Sequence, residues 1–147
     1  MEDNEYASYR IGEIYWINFN GQGHLERGIR PGIIVQNNIG NIYSPVIQVV
    51  PVTSSKTKTQ LPTHVKLAAN KYGLTQDSVV LCENQGAVNK TQIKAYIGVL
   101  DEEKMKEVVT ACLINTPYLQ FLNQLEISKI IERNNGGRIR KLSNFMN

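Results

Sequence analysis

The sequence offers little to a metal, a disulfide or a membrane. Its 147 residues include two cysteines, Cys82 and Cys112, and two histidines, His24 and His64, with no C-x-x-C pair. Zinc sites gather several such ligands at short spacings, so this composition argues against one. Both cysteines sit in apolar runs and read as buried free thiols of a reducing cytoplasm rather than as nucleophiles. No apolar run approaches the roughly 20 residues of a membrane-spanning helix. The first residues, Met1-Glu2-Asp3-Asn4-Glu5, are acidic, the opposite of a secretory or transit segment, so the expected location is cytoplasmic. Repeats and low-complexity stretches are also lacking. With 41% hydrophobic and 20% charged residues, the chain can form a packed core. Its length suits one domain, with room for an appendage.

The net charge is +3, and its placement is informative. Up to Thr116 there are eleven basic and eleven acidic residues; beyond it stand Lys129, Arg133, Arg138, Arg140 and Lys141 against Glu126 and Glu132. Within the neutral part, Pro51–Ala95 carries six lysines against Asp77 and Glu83. A modest local basic surface suits a polyanion without identifying one.

The first hundred residues read as six short strands separated by turn chemistry. They are Ile14–Phe19, Gly32–Val35, Val46–Val52, Thr63–Leu67, Ser78–Cys82 and Ala95–Leu100. Pro51 cannot donate to a ladder and is expected at an edge or bulge. Asn37-Asn38-Ile39-Gly40-Asn41 reads as a break. Tyr15, Trp16 and Phe19 read as core at strand spacing, although aromatic rings can also stack on bases. After Leu100 the period changes. Asp101 is an expected N-cap, and Met105, Val108, Val109, Cys112 and Leu113 form one helical stripe. Thr116 is expected to cap a second helix with Pro117 in its first position. Its stripe is Tyr118, Phe121, Leu122 and Leu125, and Asn134-Asn135-Gly136-Gly137 ends it. Strands followed by helices imply a mainly β fold: a small β-barrel with helices segregated to one side.

Four segments carry more specific information. They are Gly12-Glu13-Ile14-Tyr15-Trp16, Gly28-Ile29-Arg30-Pro31-Gly32-Ile33-Ile34-Val35-Gln36-Asn37, Val50-Pro51-Val52-Thr53-Ser54 and Leu61-Pro62-Thr63-His64-Val65. In this order and spacing the chain resembles the MazF/PemK (Kid-like) toxins of type II toxin–antitoxin systems over roughly residues 9–115. The resemblance implies an SH3-like barrel of the MazF/PemK/CcdB type with a C-terminal helix, here residues 1–116. It leaves 117–147 as an additional helical and basic extension. It also implies a homodimer, an acidic antitoxin of the MazE/PemI kind as partner, and no cofactor or metal. The implied activity is cleavage of single-stranded RNA to 2′,3′-cyclic phosphate and 5′-OH ends.

The family's essential arginine falls on Arg30 and its essential threonine on Thr53. Those residue types suit the chemistry. In internal transesterification the nucleophile is the substrate's own 2′-OH, so the protein supplies orientation and charge stabilisation. A guanidinium fork matches phosphate geometry, and a threonine hydroxyl adds a donor. The alternative for Arg30 is a surface ion pair with Glu26. The loop before Arg30 departs from the usual Ser-Glu-Gln-x-Gly and reads His24-Leu25-Glu26-Arg27-Gly28. The family's loop carboxylate becomes Leu25 if no gap is allowed or Glu26 if the loop shifts by one, and His24 is either a general base or an exposed loop residue. After the fifth strand many relatives read Glu-Gln-Ile-Arg-Thr. Here Glu83-Asn84-Gln85-Gly86-Ala87 supplies the amides Asn84 and Gln85 and no arginine. Ser54, Lys56 and Lys58 follow Thr53 as candidate RNA contacts, with lysine acting as a point charge.

Two readings from different classes follow. One is an endoribonuclease toxin. The other is a non-catalytic or weakly active module binding RNA or a partner on the same scaffold. Its gyrase-poison version, suggested by the CcdB toxins, lacks its signature, because the chain ends Asn144-Phe145-Met146-Asn147 and its one tryptophan is Trp16.

Overall fold

The computed structural model describes residues 9–20, 27–54 and 60–135. Seven strands and three α-helices follow in order. They are β1 (Glu13–Asn20), β2 (Arg27–Ile34), α1 (Asn38–Tyr43), β3 (Val46–Thr53), β4 (His64–Leu67), β5 (Ser78–Leu81), β6 (Gly86–Asn89), β7 (Ile93–Val99), α2 (Glu102–Asn115) and α3 (Gln124–Asn135). The sheet runs β4-β5-β3-β2-β1-β7, with β6 also pairing β3. Every ladder is antiparallel.

The expected barrel is not closed by hydrogen bonds: among the described residues the ladders stop at β4 and β7. The seam is instead a close packing of backbones. A Cβ on Gly98 of β7 would lie 2.1 Å from the Tyr72 carbonyl oxygen, and one on Gly73 would lie 2.1 Å from that of Ile97. Two glycines therefore let the turn after β4 lie against β7. Asn70, Tyr72 and Gly73 all have positive φ there, and the backbone amide of Asn70 donates to the Leu74 carbonyl at 2.8 Å.

β3 is an interior strand, so of the edge or bulge expected for Pro51 the edge does not hold. On one side Gly32, Ile33 and Ile34 of β2 face Pro51, Val50 and Val49. On the other, Val46–Val49 pair with β6 and Val52–Thr53 pair with β5. Pro51 occupies the gap between those two ladders, where no donor is required. The sheet buries both faces. Ile14, Ile33, Val50, Val52, Leu67, Leu74 and Val80 form one core with Val108 and Ala111 of α2. Ile17, Ile34, Ile47, Val49, Val88 and Ile93 form a second. Successive residues of β1–β3 divide between the two, as strand alternation requires.

Helix α2 starts where expected. The Asp101 carboxylate accepts from the Lys104 amide at 2.8 Å, and the Tyr72 hydroxyl donates to it at 3.1 Å. Its buried line runs through Met105, Val108, Ala111 and Cys112, whereas Val109 and Leu113 face solvent. The expected second helix does not begin at Pro117. Thr116 closes α2, Tyr118–Phe121 form a 3₁₀ turn, and α3 starts only after Asn123. Asn123 and Glu126 cap α3 reciprocally at 2.8 and 2.9 Å, which fixes its start. The run Asn37–Asn41, expected as a break, holds α1. The Asn37 side chain caps it, and the side-chain Oδ1 of the buried Asn38 accepts from the Ile11 backbone amide.

Candidate active site

A cleft of about 260 Å³ opens at the rim of the first core. It is lined by Trp16 of β1, by Ile29, Arg30 and Pro31 of β2, and by the segment Gly73–Gln76 with Ser78. Val52, Leu74 and Ile97 form its apolar part, and Thr53 and Ser54 lie at the end of β3. Arg30 and Thr53 are 23 residues apart in sequence. Antiparallel pairing of β2 with β3 brings them to one rim, because Gly32 opposite Pro51 sets both two residues beyond the same rung. Both are half-buried. A guanidinium, a threonine hydroxyl and a serine hydroxyl in one lining can bind an oxyanion, and the apolar lining residues can take a flat or aliphatic group.

His24, Glu26, Lys56 and Lys58 lie outside the described residues. Asn84 ends a 3₁₀ turn, Cys82–Asn84. The Gln85 amide reaches Gln48 Oε1 at 3.4 Å. Gly86, the next residue, pairs with Val49, four residues from Thr53 along β3, or about 13 Å at the rise of a strand. Asn84 and Gln85 therefore do not line the cleft.

Two features of the site are not legible in the residue pattern. Trp16, expected in the core, is 42% exposed and faces the cleft. Strand alternation assigns it to the same face as the fully buried Ile14 but does not say where the rim falls. The second feature is the segment Gly73–Ser78, none of whose residues is expected at the site. Its signal is the glycine at the seam.

Behind the site a polar cluster joins β4 to the turn after β5. The Thr63 hydroxyl donates to Glu83 Oε1 at 2.8 Å, and His64 Nε2 lies 3.0 Å from Glu83 Oε2. The Leu61 amide donates to His64 Nδ1 at 3.3 Å. The neutral ring therefore carries its proton on Nε2 and donates it to Glu83. Burial pushes the Glu83 carboxyl up. Its own backbone amide, Thr63 and His64 outweigh that and hold it below the ordinary carboxylate value. Nearby, the buried Cys82 thiol is pushed up by its hydrogen bond with Cys112 and by burial. Both cysteines are free. Among the described residues no three His, Cys, Asp or Glu side chains form a metal-binding group. No helix among them is long and apolar enough to cross a membrane.

The architecture defines a small, mainly antiparallel β domain with a C-terminal helix and an oxyanion-directed cleft at its rim. Residues 10–114 match the family described as the PemK-like, MazF-like toxin of type II toxin–antitoxin systems, and the chain belongs to that family. It is 40% identical over 103 residues to a curated protein of Staphylococcus saprophyticus subsp. saprophyticus named endoribonuclease MazF, covering 69% of this chain and 86% of that relative. Solved structures share the fold. One is a mycobacterial endoribonuclease in complex with its cognate antitoxin, at 22% identity and TM-score 0.62, covering 75% of this chain and 96% of that one. Another is MazF of Deinococcus radiodurans, at 24% identity and TM-score 0.62, covering 71% and 93%.

Proposed function

We propose that this chain is the toxin of a type II toxin–antitoxin pair and an endoribonuclease that cleaves single-stranded RNA without a metal ion. Membership of the family supports the toxin reading, and the name of the Staphylococcus relative supports the activity. The observation that carries the mechanism is the meeting of Arg30 and Thr53 in one cleft. The substrate's 2′-oxygen attacks the adjacent phosphorus, so an O2′–P bond forms as the P–O5′ bond breaks. The 2′-proton passes to a base, and the leaving O5′ takes up a proton. The products are a 2′,3′-cyclic phosphate and a 5′-OH.

Arg30 and Thr53 are the residues we assign to the non-bridging oxygens, where negative charge grows in the transition state. A guanidinium stays charged throughout, so Arg30 acts by electrostatic stabilisation rather than by losing a proton. The base is assigned to the loop that precedes β2, to His24 or Glu26. Ser54, Lys56 and Lys58 are assigned to backbone phosphates flanking the cut. Asn84 and Gln85, about 13 Å along β3, suit a nucleotide further along the strand.

The partner we assign is an acidic antitoxin segment lying on the basic Pro51–Ala95 surface and excluding RNA. The solved mycobacterial relative carries a cognate antitoxin. The working form is a cytoplasmic homodimer. Residues 1–116 form the toxin domain and 117–147 an appended segment, consistent with the family match ending at residue 114 and α2 at Asn115.

The test is cleavage of a single-stranded RNA in EDTA with end-group analysis. Cyclic phosphate and 5′-OH ends are expected. Activity lost in EDTA and restored by Mg²⁺ would refute the mechanism. A folded protein that binds RNA but cleaves none would favour the binding-module reading.

A further inference from the structure

We propose that Trp16 is the stacking platform for the nucleobase beside the scissile phosphate, and so a determinant of which base is accepted there. The proposal rests on the endoribonuclease reading of the same cleft.

Strand β1 places Ile14 and Trp16 on one face, two residues apart. Ile14 is fully buried in the first core, whereas Trp16 is 42% exposed at its rim. A branched aliphatic residue would seal that position as well as an indole does. The indole instead leaves much of its large apolar surface uncovered. Its register partner on β2 is Pro31, whereas Arg30 pairs with Ile17; Trp16 and Arg30 meet only as lining residues of the same cleft. Ile29, itself 60% exposed, and Ile97 extend the apolar surface. The same lining includes Thr75 and Gln76, whose side chains carry hydrogen-bonding groups. The cleft thus combines a flat apolar ring, polar side chains and an arginine–threonine pair. That combination matches the parts of one nucleotide: a ring face, a ring edge and a phosphate.

The cleft, at about 260 Å³, is smaller than the roughly 300–1,000 Å³ of pockets that enclose a drug-sized ligand, so it would hold part of a nucleotide with the rest outside. Stacking of a base on an aromatic side chain, removed by substitution, typically weakens binding by roughly 5–150-fold. Stacking tolerates every base but favours the larger ring systems. Any discrimination beyond that must come from the polar lining residues.

The chain has one tryptophan, so the fluorescence of the full-length protein reports Trp16 directly, with no variant needed. The probe is single-stranded RNA carrying 2′-O-methyl groups, which lacks the nucleophile and cannot be cut. Saturable quenching is expected, with an amplitude and midpoint that differ between oligo-A, oligo-C and oligo-U. In cleavage assays with unmodified RNA, Trp16→Phe should keep KM within about threefold, because a π face remains. Trp16→Leu should raise KM roughly 5–150-fold, with a smaller change in kcat.

The outcomes separate this proposal from the reading beneath it. Cleavage of RNA with no quenching, or with KM unchanged in Trp16→Leu, overturns the role of Trp16 and leaves the nuclease. Quenching by RNA that is never cut, even unmodified, supports the platform and overturns the nuclease. Quenching by an acidic peptide but by no RNA overturns the proposal in favour of protein docking. Neither quenching nor cleavage overturns both.

Discussion

Arg30 and Thr53 reach the cleft from two strands whose register holds them at one rim. Losing one preorganised donor to a transition-state oxyanion costs about 3–4 kcal/mol, or roughly 10²–10³ in rate. Arg30→Ala and Thr53→Ala should each lose about that much in kcat with an unchanged melting curve. If they hold one phosphoryl group, the double variant should lose less than the sum of the two. Arg30→Lys should also be poor, because an ammonium keeps the charge without the fork. Near-wild-type activity in Arg30→Ala would remove the residue from the mechanism. Glu83 allows a separate prediction about stability. Its carboxyl titrates below the ordinary value in the folded chain, so its contribution is present above the unfolded value near 4.5 and is lost as pH falls through the folded value. Glu83→Gln should cost about 1–3 kcal/mol at pH 7, the worth of hydrogen bonds to a charged group. That difference should shrink in denaturant melts below pH 4.5; a gap that widens in acid would reverse the assignment. The two kinds of residue differ in legibility. Arg30 and Thr53 stand out because segments of fixed order and spacing surround them. Trp16 and Glu83 emerge only when distant strands meet, since Glu83 is held by Thr63 and His64, 20 and 19 residues away, and the role of Trp16 is set by where a rim falls.

Among the elements, β1, β3 and α2 are legible because one residue pattern decides each. β1 and β3 are rich in β-branched and aromatic residues, and α2 opens on a capping aspartate. Strand β6, Gly-Ala-Val-Asn, has no such pattern and forms because Val46–Val49 of β3 offer a partner. The six residues of α1 are held by asparagine side chains, Asn37 at the cap and Asn38 on Ile11, which composition alone reads as a break. The break between α2 and α3 was hidden because Tyr118, Phe121, Leu122 and Leu125 keep helical spacing while Asn123 supplies a new cap. The seam between β7 and the turn after β4 carries the prediction at this scale. A methyl at Gly98 or Gly73 would meet a carbonyl oxygen at 2.1 Å, and Gly73 also has φ +86°. Backbone there must move, so Gly98→Ala and Gly73→Ala should each destabilise by about 1–3 kcal/mol or more. Gly86→Ala is the control: nothing lies within 4 Å of its added methyl, and it should stay within about 0.5 kcal/mol of the parent. Because Gly73 and Ile97 also line the cleft, the seam variants should lose RNA cleavage before they lose fold. Thermal melts and cleavage rates on the same samples check this; seam variants as stable as Gly86→Ala would mean that the turn is free to shift.

At the scale of the molecule, charge and exposed apolar surface point to two associations. An acidic antitoxin segment competing with RNA for the Pro51–Ala95 surface should bind more weakly as salt rises, and each ligand should displace the other. Simultaneous binding of both to one toxin would contradict that arrangement. The second association is with another copy. The outer face of α2 exposes Val109, Leu113 and Ile114, and the segment after it exposes Tyr118, Phe121 and Leu125, with Phe121 at 77%. Covering such side chains is favourable, because each buried square ångström of apolar surface is worth roughly 25 cal/mol. A two-fold arrangement is the simplest way for small proteins to cover such a face, since each copy supplies the same patch. The expected mass in light scattering at micromolar concentration is therefore twice the 16.6 kDa of the chain. If the covered patch includes this face, Ile114→Asp combined with Phe121→Asp should shift the population towards monomer while leaving the barrel folded. Val108 and Ala111, which hold α2 to the core, point the other way. A dimer untouched by that double substitution would place the interface elsewhere on the barrel. A single species of 16.6 kDa at every concentration would sink the dimer itself.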